Sequence, residues 1–244
     1  MSCAARGASS DSTGLSVLTN SVPGMRRAYI DPHCGLEESF KLARAWAGPE
    51  LGSLMAPSTG AVDASSWLHK TGVPIGTVGG RRSKYTGRPQ GIVVAWCLHL
   101  DEVLEIEHWH DIDGMVLVRA LDSHSPWITA HGAEHLGGHV VDAVPEASTA
   151  IKAAIAGITW EATRNQGLVD SRERSDAVQT LTYLRNHGHR LVPEQLTTEA
   201  IRNGWGGKGP LELAEIAKQL NAGKQLRYQK GRISAQRLAE MLES

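Results

Sequence analysis

Four cations crowd one glycine-rich segment of this chain. Gly79-Gly80-Arg81-Arg82-Ser83-Lys84-Tyr85-Thr86-Gly87-Arg88-Pro89 carries Arg81, Arg82, Lys84 and Arg88. Glycine lets backbone amides approach phosphate oxygens closely, and a guanidinium offers a planar fork that matches them. The segment fits neither the P-loop nor the G-x-G-x-x-G pattern, so phosphate contact is expected without a named cofactor. The competing reading is a solvated loop. A second glycine-rich turn, Gly204-Trp205-Gly206-Gly207-Lys208-Gly209, places an aromatic beside a base. Trp205 would stack on a nucleobase while Lys208 meets its phosphate, or else Trp205 buries a corner between two helices.

Histidines offer a different chemistry. In His131-Gly132-Ala133-Glu134-His135, a helix would set His131 and His135 on one face to grip a metal, with Glu134 as general base. The H-x-x-E-H pattern resembles that of the inverted zinc metallopeptidases. That resemblance implies a third ligand downstream, for which Glu212 or Glu215 can be nominated. The flanking PWITA and LGGH differ from that family. Asp31-Pro32-His33-Cys34 ends an apolar run. A His beside a Cys can support a thiolate, but neighbours on extended chain point opposite ways, so a strand-end turn is the plainer reading. His108 and His110, two apart in EIEHWHDID, fall on different helix faces and read as an exposed polar helix end.

These residues must be positioned by the beat of short apolar run, turn and amphipathic stretch that repeats over residues 25–137. Five runs read as strands: Arg26–Ile30, Ser53–Ala56, Val73–Val78, Gly91–Cys97 and Met115–Ala120. Continuous runs such as GIVVAWC suit the middle of a parallel sheet. Amphipathic stretches lie between them, with Asp63 and Asp101 as expected caps, and a helix is expected from Ser125 to Leu136. The predicted fold is α/β, a doubly wound, mostly parallel five-stranded sheet followed by an α-helical C-terminal region. Ligands in such folds gather at the carboxyl ends of the strands, where the Gly79–Pro89 loop would sit.

The organisation expected is a disordered tail over 1–24, an α/β body over 25–143 and a helical region over 144–244. Met25 is an alternative start, since the first strand follows it directly. Within the helical region, Asp170 or Ser171 caps a helix through Asn186, Pro193 opens another, and Gly223 closes a third. Seven tryptophans against one phenylalanine assign Trp46, Trp67, Trp109, Trp127 and Trp160 to helix packing on the sheet.

Charge divides the same way. Residues 1–163 hold 12 Lys/Arg against 17 Asp/Glu, and residues 164–244 hold 13 against 9. A basic tail on an acidic body suits a polyanionic partner or a self-contact. Three cysteines without a CxxC pair point to a reducing cytoplasm, and no stretch approaches the roughly 20 apolar residues of a membrane span.

The runs PWITAHGAEHLGG and VPEASTAIKAAIAGITWEATRNQGLVDSRERSDAVQTLTYLRNHGHRLVPEQLTTEAIRNGW resemble a group of uncharacterised actinobacterial proteins, from about Gly91 to Arg227. The resemblance implies an intact architecture and transfers no activity, cofactor or catalytic residue. It also implies that His131 and His135 stand at variable positions. The leading functional expectation is therefore binding of a nucleotide or nucleic acid through Arg81, Arg82, Lys84 and Arg88, assisted by Trp205, Lys208 and the tail. A non-catalytic module that docks a protein partner or a second copy is the alternative. A metal-dependent hydrolase using His131 and His135 is third.

Overall fold

The structure, a computed structural model, describes residues 24–31, 33, 35–78, 85–119, 122–161, 168, 170–229 and 233–243. Most of the expected N-terminal tail, through Pro23, lies outside them. The strands are β1 (Arg26–Ile30), β2 (Leu51–Ala56), β3 (Ile75–Val78), β4 (Tyr85–Thr86), β5 (Gly91–Trp96), β6 (Ile112–Val118) and β7 (Glu134–Gly137). They form one sheet in the order β4-β3-β2-β5-β6-β1-β7. All pairings are parallel except that of β3 with β4.

Among the described residues the sheet has seven strands where five were expected. β4 is a two-residue return antiparallel to β3, too short to show a period. Its Thr86 and Thr77 hydroxyls lie 2.6 Å apart. β7 replaces the end of the helix expected through Leu136. Gly132 takes φ 58° in the left-handed region and stops that helix at His131, and the next residues pair with β1.

Parallel strands need crossovers, and the helices supply them. α1 (Leu36–Ala47) and α2 (Thr59–Ala64) cover one face. There Phe40, Ala43 and Val62 meet Ala28, Ile30, Leu54, Val94, Val116 and Val118. α3 (Leu100–Glu107) and α4 (Ser125–His131) cover the other. There Val103, Leu104 and Trp127 meet the alternate residues Tyr29, Val93, Ala95, Met115 and Leu117. The period-two alternation thus feeds two cores from each central strand.

α5 (Thr149–Glu161), α6 (Ser171–Asn186), α7 (Pro193–Arg202), α8 (Gly209–Asn221) and α9 (Ala235–Glu243) share an apolar cluster of their own. α7 also packs on α4, and Ile201 enters the body's core. Asp170 caps α6 as expected, its Oδ1 accepting from the amides of Arg172 and Glu173 at 2.7 and 2.9 Å. Asp63 is not a cap: Ser58 Oγ accepts from the Ala61 amide at 3.1 Å instead, and α2 ends at Ala64. Trp127 is fully buried as a packing residue should be, whereas Trp160 is 81% exposed.

A buried carboxylate locks α3, α4 and β1 together. Glu107 Oε1 accepts from Arg27 Nε at 2.5 Å and lies 3.4 Å from His131 Nε2, and Oε2 accepts from Trp127 Nε1 at 2.9 Å. Burial opposes the charge on Glu107, but His131 and Arg27 outweigh it and hold the carboxyl at about 2. Because the folded value lies below the ordinary 4.5, this stability is fully present above 4.5 and is lost as pH falls toward 2. Glu107→Ala should cost about 3–5 kcal/mol in urea denaturation, because it strands a largely buried arginine. Glu107→Gln should lose less stability than the parent between pH 5 and pH 3. Equal losses would contradict the role given to the carboxylate.

Candidate functional site

In a parallel sheet the carboxyl ends of the strands share one edge. Connections leaving β1 and β2 pass over one face, and those leaving β5 and β6 pass over the other. Neighbours β2/β5 and β6/β1 therefore send their loops apart, which opens a crevice at each crossing. The β6/β1 crossing holds a polar cluster of Asp31, His33, Arg119 and His139.

Ile30 pairs with Val118, so the residues that follow, Asp31 and Arg119, emerge side by side. Both are buried, with Arg119 Nη1 3.2 Å from Asp31 Oδ2. The Arg119 amide donates to Ile30 O and the Asp31 amide to Gly137 O, each at 3.0 Å. Asp31 Oδ1 accepts from the His33 amide at 3.2 Å and is in contact with His33 Nδ1. His139, just past β7, meets the His33 ring edge to face with centroids 4.3 Å apart. Burial disfavours a charged Asp31, yet hydrogen bonds from His33, aided by Arg119, hold its carboxyl below the usual range. Asp31 is therefore ionised and accepts, so Nδ1 donates. That leaves Nε2 of His33, a side chain 65% exposed, as the ring nitrogen not engaged by the carboxylate. A buried carboxylate orienting an open imidazole is the arrangement used for proton transfer.

At the β2/β5 crossing, Cys97 has φ 52°, the one non-glycine with positive φ among the described residues. Burial pushes its thiol up, which works against a nucleophilic role.

The residues singled out from sequence fare differently. Arg81, Arg82 and Lys84 lie outside the described residues. Arg88 follows the return strand β4 and stands beside the start of β5, at the opposite edge of the sheet, where Nη2 donates to Asp111 Oδ2 at 2.7 Å. Trp205 is completely buried and its Nε1 donates to Thr159 Oγ1 at 2.7 Å, so its ring is not offered to a base. Lys208 is exposed at the start of α8, in a cleft of about 350 Å³ shared with His108, Glu105 and Gly206. His131 and His135 do not share a helix face. His131 ends α4 against Glu107, while His135 lies on β7 with Nε2 3.0 Å from Gly137 O. Gly132 separates them, and no group of three His, Cys, Asp or Glu suited to a metal occurs among the described residues.

Sequence reasoning missed Arg119 and His139 as site residues. Arg119 was absorbed into the strand expected over Met115–Ala120, although a lone arginine after MVLV is a signal for a strand end. His139 lay beyond a helix expected to run through Leu136.

Residues 147–243 match the family model of a domain of unknown function, DUF1889. The match spans α5 to α9 and none of the sheet. No curated protein and no solved structure matches the chain.

The close passage of Gly138 past Asp31 supplies a test. Gly138 has φ 82°, and a Cβ there would lie 2.6 Å from Asp31 O and 2.7 Å from Asp31 Cβ. Gly188 has φ 85° with open space around it. Gly138→Ala should therefore destabilise clearly more than Gly188→Ala, which carries only backbone strain of about 1–2 kcal/mol. Equal losses in thermal melts would show that the β7 extension does not press on Asp31.

Proposed function

We propose that this chain binds a phosphate-bearing ligand, a nucleotide or nucleic acid, along the carboxyl edge of its sheet. The observation that supports it is the meeting of Asp31, His33, Arg119 and His139 at the β6/β1 crossing. In the sequence, Arg81, Arg82 and Lys84 come shortly after β3 and add three cations to the chain. In the helical region several cations are already held by neighbours, while Lys208 stays exposed and assists in this reading. Arg202 is engaged with Glu146 and Glu199, Arg185 with Leu220 O at 2.7 Å, and Arg237 with Glu240. Among the described residues no helix is long and apolar enough to cross a membrane, and a cytoplasmic setting belongs to the same proposal.

One observation favours a second reading, docking of a protein partner: Trp160 on α5 is largely exposed. Under that reading Trp160→Ala dissolves a complex and phosphate ligands are ignored.

Fluorescence anisotropy of a labelled single-stranded RNA across a salt series tests the first reading. Affinity should fall steeply with salt. Replacing Arg81, Arg82 and Lys84 by Ala should flatten the log–log slope by about 0.7 for each phosphate that is no longer neutralised. Trp205→Phe should leave affinity unchanged, because the indole is inside the protein. Salt-independent binding, or binding indifferent to the triple substitution, would contradict the proposal.

A further inference from the structure

Two imidazoles stand in contact at the β6/β1 crossing, and they are not equivalent. His33 is pinned through Nδ1 by the ionised, buried Asp31, which leaves Nε2 as the ring nitrogen not held by that carboxylate, on an exposed side chain. Asp31 is in turn fixed from behind by Arg119. His139 reaches the cluster by another route, through ring contact with His33 rather than through a carboxylate. It is carried in by Gly138, whose glycine-only approach to Asp31 presses the chain after β7 against β1. Both imidazoles are exposed. The contact sets two exposed imidazoles, each able to exchange a proton near neutral pH, side by side.

Paired proton transfer of this kind suits a substrate that carries its own nucleophile. RNA does: its 2′-hydroxyl sits beside the phosphodiester, whereas DNA lacks it. We propose that this edge cleaves RNA, with His33 as general base and His139 as general acid. The inference rests on the reading above that the edge takes a nucleic acid. His33 Nε2 accepts the proton of the 2′-hydroxyl, and the 2′-oxygen forms a bond to the adjacent phosphorus. The bond from phosphorus to the 5′-oxygen breaks, and His139 donates a proton to that oxygen. The products are a 2′,3′-cyclic phosphate and a 5′-hydroxyl. No water, oxidant or reductant is consumed, and exchange with solvent restores the two imidazoles. Asp31 and Arg119 are positioning residues that touch no reacting atom.

The test incubates the full chain with a labelled RNA oligonucleotide and with its 2′-O-methyl counterpart, and follows binding and cleavage separately. The RNA should be bound and cut to cyclic-phosphate ends, and the 2′-O-methyl strand bound and left intact. His33→Ala and His139→Ala, prepared in the same way, should each slow cleavage of the RNA they bind at least about 100-fold. Added imidazole should restore part of the His33→Ala rate, which a merely structural loss would not allow. RNA bound but uncut, or cleavage unchanged by His33→Ala, would overturn the catalytic assignment and leave the binding proposal standing. RNA neither bound nor cut would overturn both.

Discussion

Parallel strands cannot be joined by a tight turn, and nearly everything else in this molecule follows from that constraint. Each connection must cross a face of the sheet, so both faces are covered by helices and the central strands become almost wholly apolar. All their carboxyl ends then lie at one edge. The chain leaves β1 over one face and β6 over the other, and the residues after those strands meet in the gap. Asp31 and Arg119 are 88 positions apart in sequence, and only the pairing of β1 with β6 makes them neighbours.

The same three side-chain types occur together twice, with opposite outcomes. At one end of the sheet Glu107, Arg27 and His131 are enclosed, and the His131 side chain is 8% exposed. Both carboxylate oxygens of Glu107 are directed at the packing of β1, α3 and α4, and the group has no opening through which to act on a ligand. At the other end Asp31, Arg119 and His33 repeat the carboxylate, guanidinium and imidazole, but the imidazole faces outward. Burial of the carboxylate gives stiffness in both places. Exposure of the histidine is what separates a structural lock from a site.

Much of the fold was legible in the sequence, because five strands and most helices are long enough to show their period. GIVVAW and the run ending MVLV are short, continuous and rich in β-branched residues, which suits the middle of a sheet. β4 and β7 were not legible. Two residues cannot display alternation, and the segment Glu134–Gly137 is a strand only because β1 offers it a free edge. That edge is a tertiary fact. The site was half legible: the Asp31–His33 turn was visible, but its partners come from β6 and from beyond β7. The four cations of the glycine-rich loop divide between Arg88, at the wrong edge, and three residues outside the described part of the chain. Trp205 and the two zinc-like histidines misled for one reason. A short motif does not reveal whether a side chain points into a core or whether a glycine ends the helix on which its spacing depends.

Ligands are proposed to meet this protein at the carboxyl edge of its sheet. Backbone amide chemical shifts of the labelled chain, recorded during titration with a single-stranded RNA oligonucleotide at low salt, test it most directly. The largest changes should gather at Asp31, His33, Arg119 and His139 and at the residues that follow Val78. Changes confined to the helices beyond Thr149, or to Arg88 and Asp111 at the opposite edge, with the β6/β1 crossing unmoved, would contradict it.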